Sequence, residues 1–209
     1  QAAAHGLTCI HSDDLASIPG LGWLEVHKAY LELEQEGKLP VRIVEQCRFA
    51  SCEELQGFLE EQVFYGQGSD VYRLGPIKII GDGSLGARTA WMREPYSDDS
   101  STRGVSAIQE EELEGMIRLA HQHDWPVAVH AIGDKTIQTV MDCIARVQSE
   151  QPKPIRHGIV HCQITDSSLL KRFAREDIAT YIQPIFLEYD LHIAEKRVGA
   201  RAKTSYAWK

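Results

Sequence analysis

Six short apolar runs recur along the chain, and the stretches between them return apolar residues every three or four positions. The runs are LTCIH (7–11), VRIVEQC (41–47), IKII (77–80), PVAVH (126–130), IRHGIVH (155–161) and IATYIQPIF (178–186). Their length and β-branched content predict strands. The spacing between them predicts helices. One covers 23–36 and stops at Gly37, a C-terminal signal. A second opens at Ser51 with Glu54 three residues on, and a third at Ser106 with Gln109 in the same relation, both in the pattern of a capping box. A fourth starts at Asp134 and carries Ile137, Val140, Met141 and Ile144 on one stripe. A fifth follows Thr165 and is expected to bury Leu169, Leu170 and Phe173. Strands alternating with helices imply a parallel sheet with helical crossovers.

Two α/β architectures satisfy that alternation: an open doubly wound sheet, or a TIM barrel, whose eight βα units take about 250 residues. Six strands, the first starting almost at residue 1, would leave a barrel incomplete, with about six of its eight units. Residues 81–103, rich in Gly, Ser and Asp, form the longest irregular stretch. A loop of that length is expected to be functional and mobile. No repeat, low-complexity tract or linker interrupts the pattern, so one domain is expected over 1–209.

Composition narrows the function classes. The chain is 43% hydrophobic and 25% charged, the balance of an ordinary globular protein. A net charge of -8 without a basic stripe argues against nucleic acid as a partner. No apolar run approaches the roughly 20 residues that span a bilayer, and no signal-peptide pattern is visible. Cys9, Cys47, Cys52, Cys143 and Cys162 are odd in number and contain no C-x-x-C pair. That argues against a disulfide framework or a cysteine-based zinc site, and for reduced thiols in a cytoplasmic protein.

Two motifs are decoys. GDGSLG, residues 81–86, matches G-x-G-x-x-G literally, but the dinucleotide reading needs a helix to begin on those glycines. ARTAWMREP follows instead, so an oxidoreductase rests on the glycine run alone. His121 and His123 sit in the last turn of a helical pattern, where residues two apart do not face each other.

The strand ends carry the stronger signal. Side chains alternate along a strand, so Ala128 and His130 share a face in PVAVH, and His157, Ile159 and His161 share one in IRHGIVH. Lys78 and Ile80 share a face in IKII with Asp82 just beyond, and Cys9, His11 and Asp13 share one in LTCIHSDD. Four strands thus place ionisable groups toward their C-terminal ends, where active sites of parallel α/β folds gather. An ammonium within Ile-Lys-Ile-Ile is costly to bury. Lys78 could snorkel outward, or lose its proton and take up CO2 as a carbamate, a carboxylate-like ligand. Two imidazoles and one such anion would suit a divalent zinc-type ion with a position left open for water.

IKIIGDGSLGARTA, PVAVHAIGD, RHGIVHCQITD and ATYIQPIFL, in that order, resemble the metal-dependent amidohydrolases of the YtcJ-like branch, which includes the N-substituted formamide deformylases. The resemblance runs from HGLTCIHSDD to the terminal SYAWK. It implies an amidohydrolase TIM barrel in which residues 1–209 supply strands two to seven. It also implies His130 and His161 as metal ligands, Lys78 as a bridging carbamate, a divalent metal such as zinc, and hydrolysis of amide-type C–N bonds in a small molecule by metal-activated water. The family's H-x-H pair after the first strand and its aspartate after the eighth have no counterpart here. The expectation is therefore a portion of a hydrolase that is inactive alone, with Lys78, Asp82 and Asp134 as the catalytic candidates it retains. The alternative is a non-catalytic truncated relative that acts as a binding or interaction module. A barrel lacking strands exposes two sheet edges, so self-association is expected as well.

Overall fold

The computed structural model describes residues 1–15 and 17–207; Trp208 and Lys209, the end of the SYAWK match, lie outside the described residues. Six parallel strands follow one another in chain order: β1 (Cys9–Ser12), β2 (Arg42–Arg48), β3 (Tyr72–Ile80), β4 (Val127–Ala131), β5 (Gly158–His161) and β6 (Ala179–Tyr181). Helices α1 (Trp23–Gln35), α2 (Cys52–Glu60), α3 (Glu110–Gln122), α4 (Asp134–Glu150) and α5 (Ser167–Arg175) connect them, and α6 (Ile185–Val198) follows the last. This is a half-barrel of the TIM type, with β1 and β6 as its edges among the described residues.

Alternation decides which side chains build the core. Ile77, Ile79, Val127, Val129 and Ile159 share one buried cluster with Met116, Ile117, Val140, Met141 and Ile144 of α3 and α4. Each such side chain contributes about 1.5–3 kcal/mol on burial. Lys78 and His130 turn the other way; His161 is in step with Ile159, but its backbone leaves strand geometry at the end of β5, with φ +78°, and the three side chains line one cavity.

Several sequence expectations need correction. β3 begins at Tyr72, five residues before the IKII run. Gly75-Pro76 lies within the strand, beside a register shift between Glu45 and Cys47. A Cβ at Gly75 would sit 2.8 Å from the Glu45 carbonyl oxygen, so the bulge demands glycine. The last run is not one strand to residue 186: β6 ends at Tyr181, and Pro184 caps α6. Ser51 accepts from the Glu54 amide as expected, and the Glu54 carboxylate reaches back to the Ala50 amide at 2.9 Å. Ser106 does not open α3, which starts at Glu110; its hydroxyl donates to the Ile108 carbonyl at 2.6 Å. In α5 only Leu169 is fully buried, and Leu170 and Phe173 are half-buried.

Residues 81–103 are not slack. Leu85, Ala90, Met92 and Tyr96 form a second buried cluster with Ile132, Ile164, Ala194 and Val198. Arg93 ties the segment to Asp134 at 3.1 Å and Asp166 at 2.5 Å, and Asp98 takes both Arg88 and Arg197. A Cβ at Gly133 would fall 2.0 Å from the Trp91 carbonyl oxygen, so the segment presses directly on the turn after β4. This packing contradicts the expectation of a mobile loop.

Candidate metal centre

The C-terminal ends of β3, β4 and β5 lie side by side, with Ile80 opposite His130 and Ala131 opposite His161. They open onto a cavity of about 580 Å³ whose walls include His11, Asp13, Lys78, His130, His161 and Gln183. The His130 and His161 rings are 4.5 Å apart between centroids and meet edge to face at 74°.

Their hydrogen bonds determine what each ring can do. His130 Nε2 lies 2.8 Å from the Gly83 carbonyl oxygen and 3.3 Å from Asp82 Oδ1. Both partners are acceptors, so Nε2 carries a proton and Nδ1 is the nitrogen left for a ligand. His161 is the mirror case: Nδ1 lies 2.8 Å from Gln183 Oε1, so Nδ1 donates and Nε2 keeps the lone pair. Burial, then the neighbouring His130, pushes the His161 pKa down to about 4, so its ring is neutral at pH 7. Its backbone has φ +78°, and that of Cys162 +51°. Two successive non-glycine residues in the left-handed region store strain, a feature that clusters at functional sites.

Lys78 is buried, and its Nζ has no hydrogen-bond or ion-pair partner among the described residues. Burial holds its pKa below the usual lysine value; the cation Arg48 adds to that and Asp13 opposes it. The share of neutral amine, which carbamate formation requires, is therefore larger than for an exposed lysine.

Asp82 and Asp134 are placed differently. The Asp82 carboxylate is fully buried and accepts from Ile132 N (3.1 Å), Gly133 N (2.8 Å), Trp91 N (3.0 Å) and Thr136 Oγ1 (2.8 Å), besides facing His130. It fastens β3, β4, α4 and the long loop around the histidine, and no oxygen is left for substrate. Asp134 starts α4, accepts from Arg93 N at 2.9 Å and is ion-paired to the Arg93 guanidinium. It does not line the cavity. His157, on the same face as His161 by alternation, sits lower and is paired with His121 at 3.0 Å, outside the cavity.

Gln183 and the Gly83 carbonyl are functional groups the sequence reading passed over. The Gln-Pro pair at 183–184, closing an apolar run, is the signal that could have pointed to the first. Among the described residues no group of three or more His, Cys, Asp and Glu side chains is arranged to hold a metal ion. Two imidazoles with one free nitrogen each, oriented by partners on their other nitrogens, and an unpaired lysine beside them nonetheless fit a divalent ion of the zinc type.

A model of the amidohydrolase family matches residues 1–209. The chain belongs to the amidohydrolase family. YtcJ of Bacillus subtilis (strain 168), which is named as an amidohydrolase, is 37% identical over 214 residues, covering 98% of this chain and 37% of that protein. LONG AFTER FAR-RED 3 of Arabidopsis thaliana is 28% identical over 193 residues, 90% of this chain and 33% of that one. Two solved structures described as uncharacterized metal-dependent hydrolases are also similar. The one from Pyrococcus furiosus has a TM-score of 0.75 and 32% identity, covering 87% of this chain and 37% of its own. The one from Pyrococcus horikoshii has 0.77 and 31%, covering 88% and 36%. The amidohydrolase chain thus spans little more than a third of the length of the relatives it matches.

Proposed function

We propose that the protein hydrolyses amide-type C–N bonds in small molecules with a divalent metal, zinc, held by His130 and His161 and by Lys78 as its carbamate. The observation that carries this reading is the pair of imidazole rings 4.5 Å apart, each held by a partner on one nitrogen, Nε2 of His130 and Nδ1 of His161, with the other nitrogen uncommitted. Bound there, the ion would lower the pKa of a water and polarise a carbonyl. Asp82 and the Gly83 carbonyl hold the His130 ring and its proton, and Gln183 does the same for His161. Lys78, as a neutral amine, adds CO2 at Nζ and releases a proton, which gives an anionic ligand. With Asp82 and Asp134 committed to other partners, Asp13 is the carboxylate that faces the cavity. No helix among the described residues is long and apolar enough to cross a membrane. Cys9, Cys47, Cys52 and Cys143 are thiols without a disulfide, in keeping with a reducing, cytoplasmic setting.

The test is amine release from N-formyl and N-acyl amines by the protein, with zinc added and with zinc chelated, beside His130→Ala, His161→Ala and Lys78→Met. Zinc-dependent release, lost in the histidine variants, supports the reading. Zinc uptake without release by this chain is the outcome expected if ligands beyond these three are needed. Neither uptake nor release would favour the second reading, a non-catalytic binding module.

A further inference from the structure

We propose that a second subsite beside the metal centre, built on Arg48, takes a carboxylate at the end of an apolar group. Substrates of the centre would then carry such an acid at a distance from the bond that is cut. The role rests on the hydrolase reading; the binding itself does not.

Arg48 is the last residue of β2, in register with Lys78 on β3. It is exposed and forms no ion pair or side-chain hydrogen bond among the described residues. Arg88, Arg93, Arg146 and Arg197 are all paired with carboxylates. Arg48 instead ends next to the Lys78 amine, whose burial already disfavours charge.

Beside it lies a cavity of about 420 Å³, and Phe49, Ile80, Ile108 and Met116 supply apolar walls. Arg48 is its one charged wall residue among the described residues, and the Ser17 hydroxyl on its rim already donates to the Asp13 carbonyl at 3.0 Å. Ile80 also lines the cavity that holds His130 and His161. A ligand seated at the metal centre therefore has only one side chain to cross before reaching this cleft.

The occupant follows from charge and wall chemistry. A single guanidinium with no carboxylate of its own matches one carboxylate, which it can grip through two parallel N–H donors. A phosphate dianion would need further donors, and these walls do not supply them. The apolar lining favours a hydrocarbon segment between the acid and the scissile bond.

The probe is hexanoate, with hexanamide and acetate as controls. Each is titrated into the metal-free protein, with a chelator present so that turnover cannot contribute. Isoleucine and methionine methyl signals are followed by NMR. Hexanoate should shift Ile80, Ile108 and Met116 saturably and bind about 10-fold or more tighter than hexanamide, the ratio expected of a charge-assisted pair. Added salt should narrow that ratio. Arg48→Met should abolish the preference, and Arg48→Lys should keep part of it; the methyl spectra of both variants report that they are folded. Acetate, without the chain, should bind more weakly than hexanoate. Equal binding of hexanoate and hexanamide, an unchanged preference in Arg48→Met, shifts confined to other methyl groups, or no binding would each overturn the subsite. Hexanoate binding in a protein that never cleaves an amide would leave the subsite standing and refute the hydrolase role. Cleavage without hexanoate binding would do the reverse.

Discussion

Asp82→Asn is the substitution whose cost the structure states most fully. The side chain keeps its shape but loses its charge, and one acceptor oxygen becomes a donor. With the amide oxygen at the Oδ1 position, the bonds from Ile132 N and His130 Nε2 survive, while the new NH2 faces Trp91 N, Gly133 N and Thr136 Oγ1. The threonine can rotate its hydroxyl, but the two backbone N–H groups cannot turn away, so two buried donors are left opposite a third. Flipping the amide transfers the same loss to Ile132 N and His130. Hydrogen bonds to a charged group contribute about 1.5–3 kcal/mol each, and removing the charged partner of a buried network costs about 3–5 kcal/mol. Against a total stability of about 5–15 kcal/mol, that is a large fraction. At a urea dependence of about 2 kcal/mol per molar, the unfolding midpoint should fall by about 1.5–2.5 M. Equilibrium urea unfolding at pH 7 reads this directly, and the 15N shifts of His130 report whether its Nε2–H tautomer persists. A midpoint within about 0.3 M of the parent, on the same slope, would refute the view that Asp82 is the fastener of the site.

Three further outcomes follow from buried groups and open edges. Val127 N donates to His157 Nδ1 at 3.2 Å, His157 Nε2 faces His121 Nδ1 at 3.0 Å, and His121 Nε2 reaches the Gln151 carbonyl at 2.7 Å; burial, then His121, pushes the His157 pKa down to about 4. The unfolded chain takes up that proton near pH 6.5, so stability present above 6.5 should be lost as pH falls toward 4, by at most about 3 kcal/mol at about 1.36 kcal/mol per pH unit; His157→Gln should flatten that acid limb in pH-dependent urea unfolding, and an unaltered limb would count against the chain of bonds. Glu45 behaves in the opposite sense: burial, then Asp14, raises its pKa to about 9, so its contribution is present below about 4.5 and lost as pH rises toward 9. Glu45→Gln keeps an acceptor for Leu15 N and should stabilise the protein at pH 7.5 by about 1–3 kcal/mol, read as a higher thermal midpoint; a lower midpoint would show that the carboxylate is ionised and needed. Finally, β1 and β6 leave backbone groups unpaired among the described residues, so the chain alone should sediment as a dimer or larger species, and a monomer at 100-fold dilution and at high concentration alike would remove the edges as a driving force.

How much of this was legible in the sequence differs by element. All six strands and five helices announced themselves, because apolar period and capping chemistry agree there. α6 did not: Ile182, Ile185 and Phe186 extend a β-like run, and only Pro184 hints that the chain has turned helical. Its outer residues Ile185, Leu187, Tyr189 and Leu191 are exposed, so it carries no clean two-faced pattern to read. β3 was cut short by Gly75-Pro76, whose meaning depends on the close approach of β2, a long-range contact that local pattern cannot express. Alternation puts Lys78 and His130 on one face, but it puts His161 in step with Ile159; the structure gathers all three at one cavity because the His161 backbone turns left-handed at the strand end, which local pattern does not show. It could not tell that Asp82 spends its oxygens on amides from β4 and the loop, or that Asp134 is claimed by Arg93, because those partners lie 9–54 and 41 positions away. The loop 81–103 looked mobile because its apolar residues are spaced irregularly; they match residues of α6 and the turn after β4, not each other.

The central claim is that His130 and His161, with Lys78, hold one metal ion at the mouth of the sheet. Crystals of the protein soaked in zinc and bicarbonate, with diffraction recorded on both sides of the zinc absorption edge, test it most directly. An anomalous peak is expected about 2.0–2.1 Å from His130 Nδ1 and His161 Nε2, with density for a carbamate on Lys78. A saturating soak that leaves this point empty, or a peak bound to neither histidine, would contradict it.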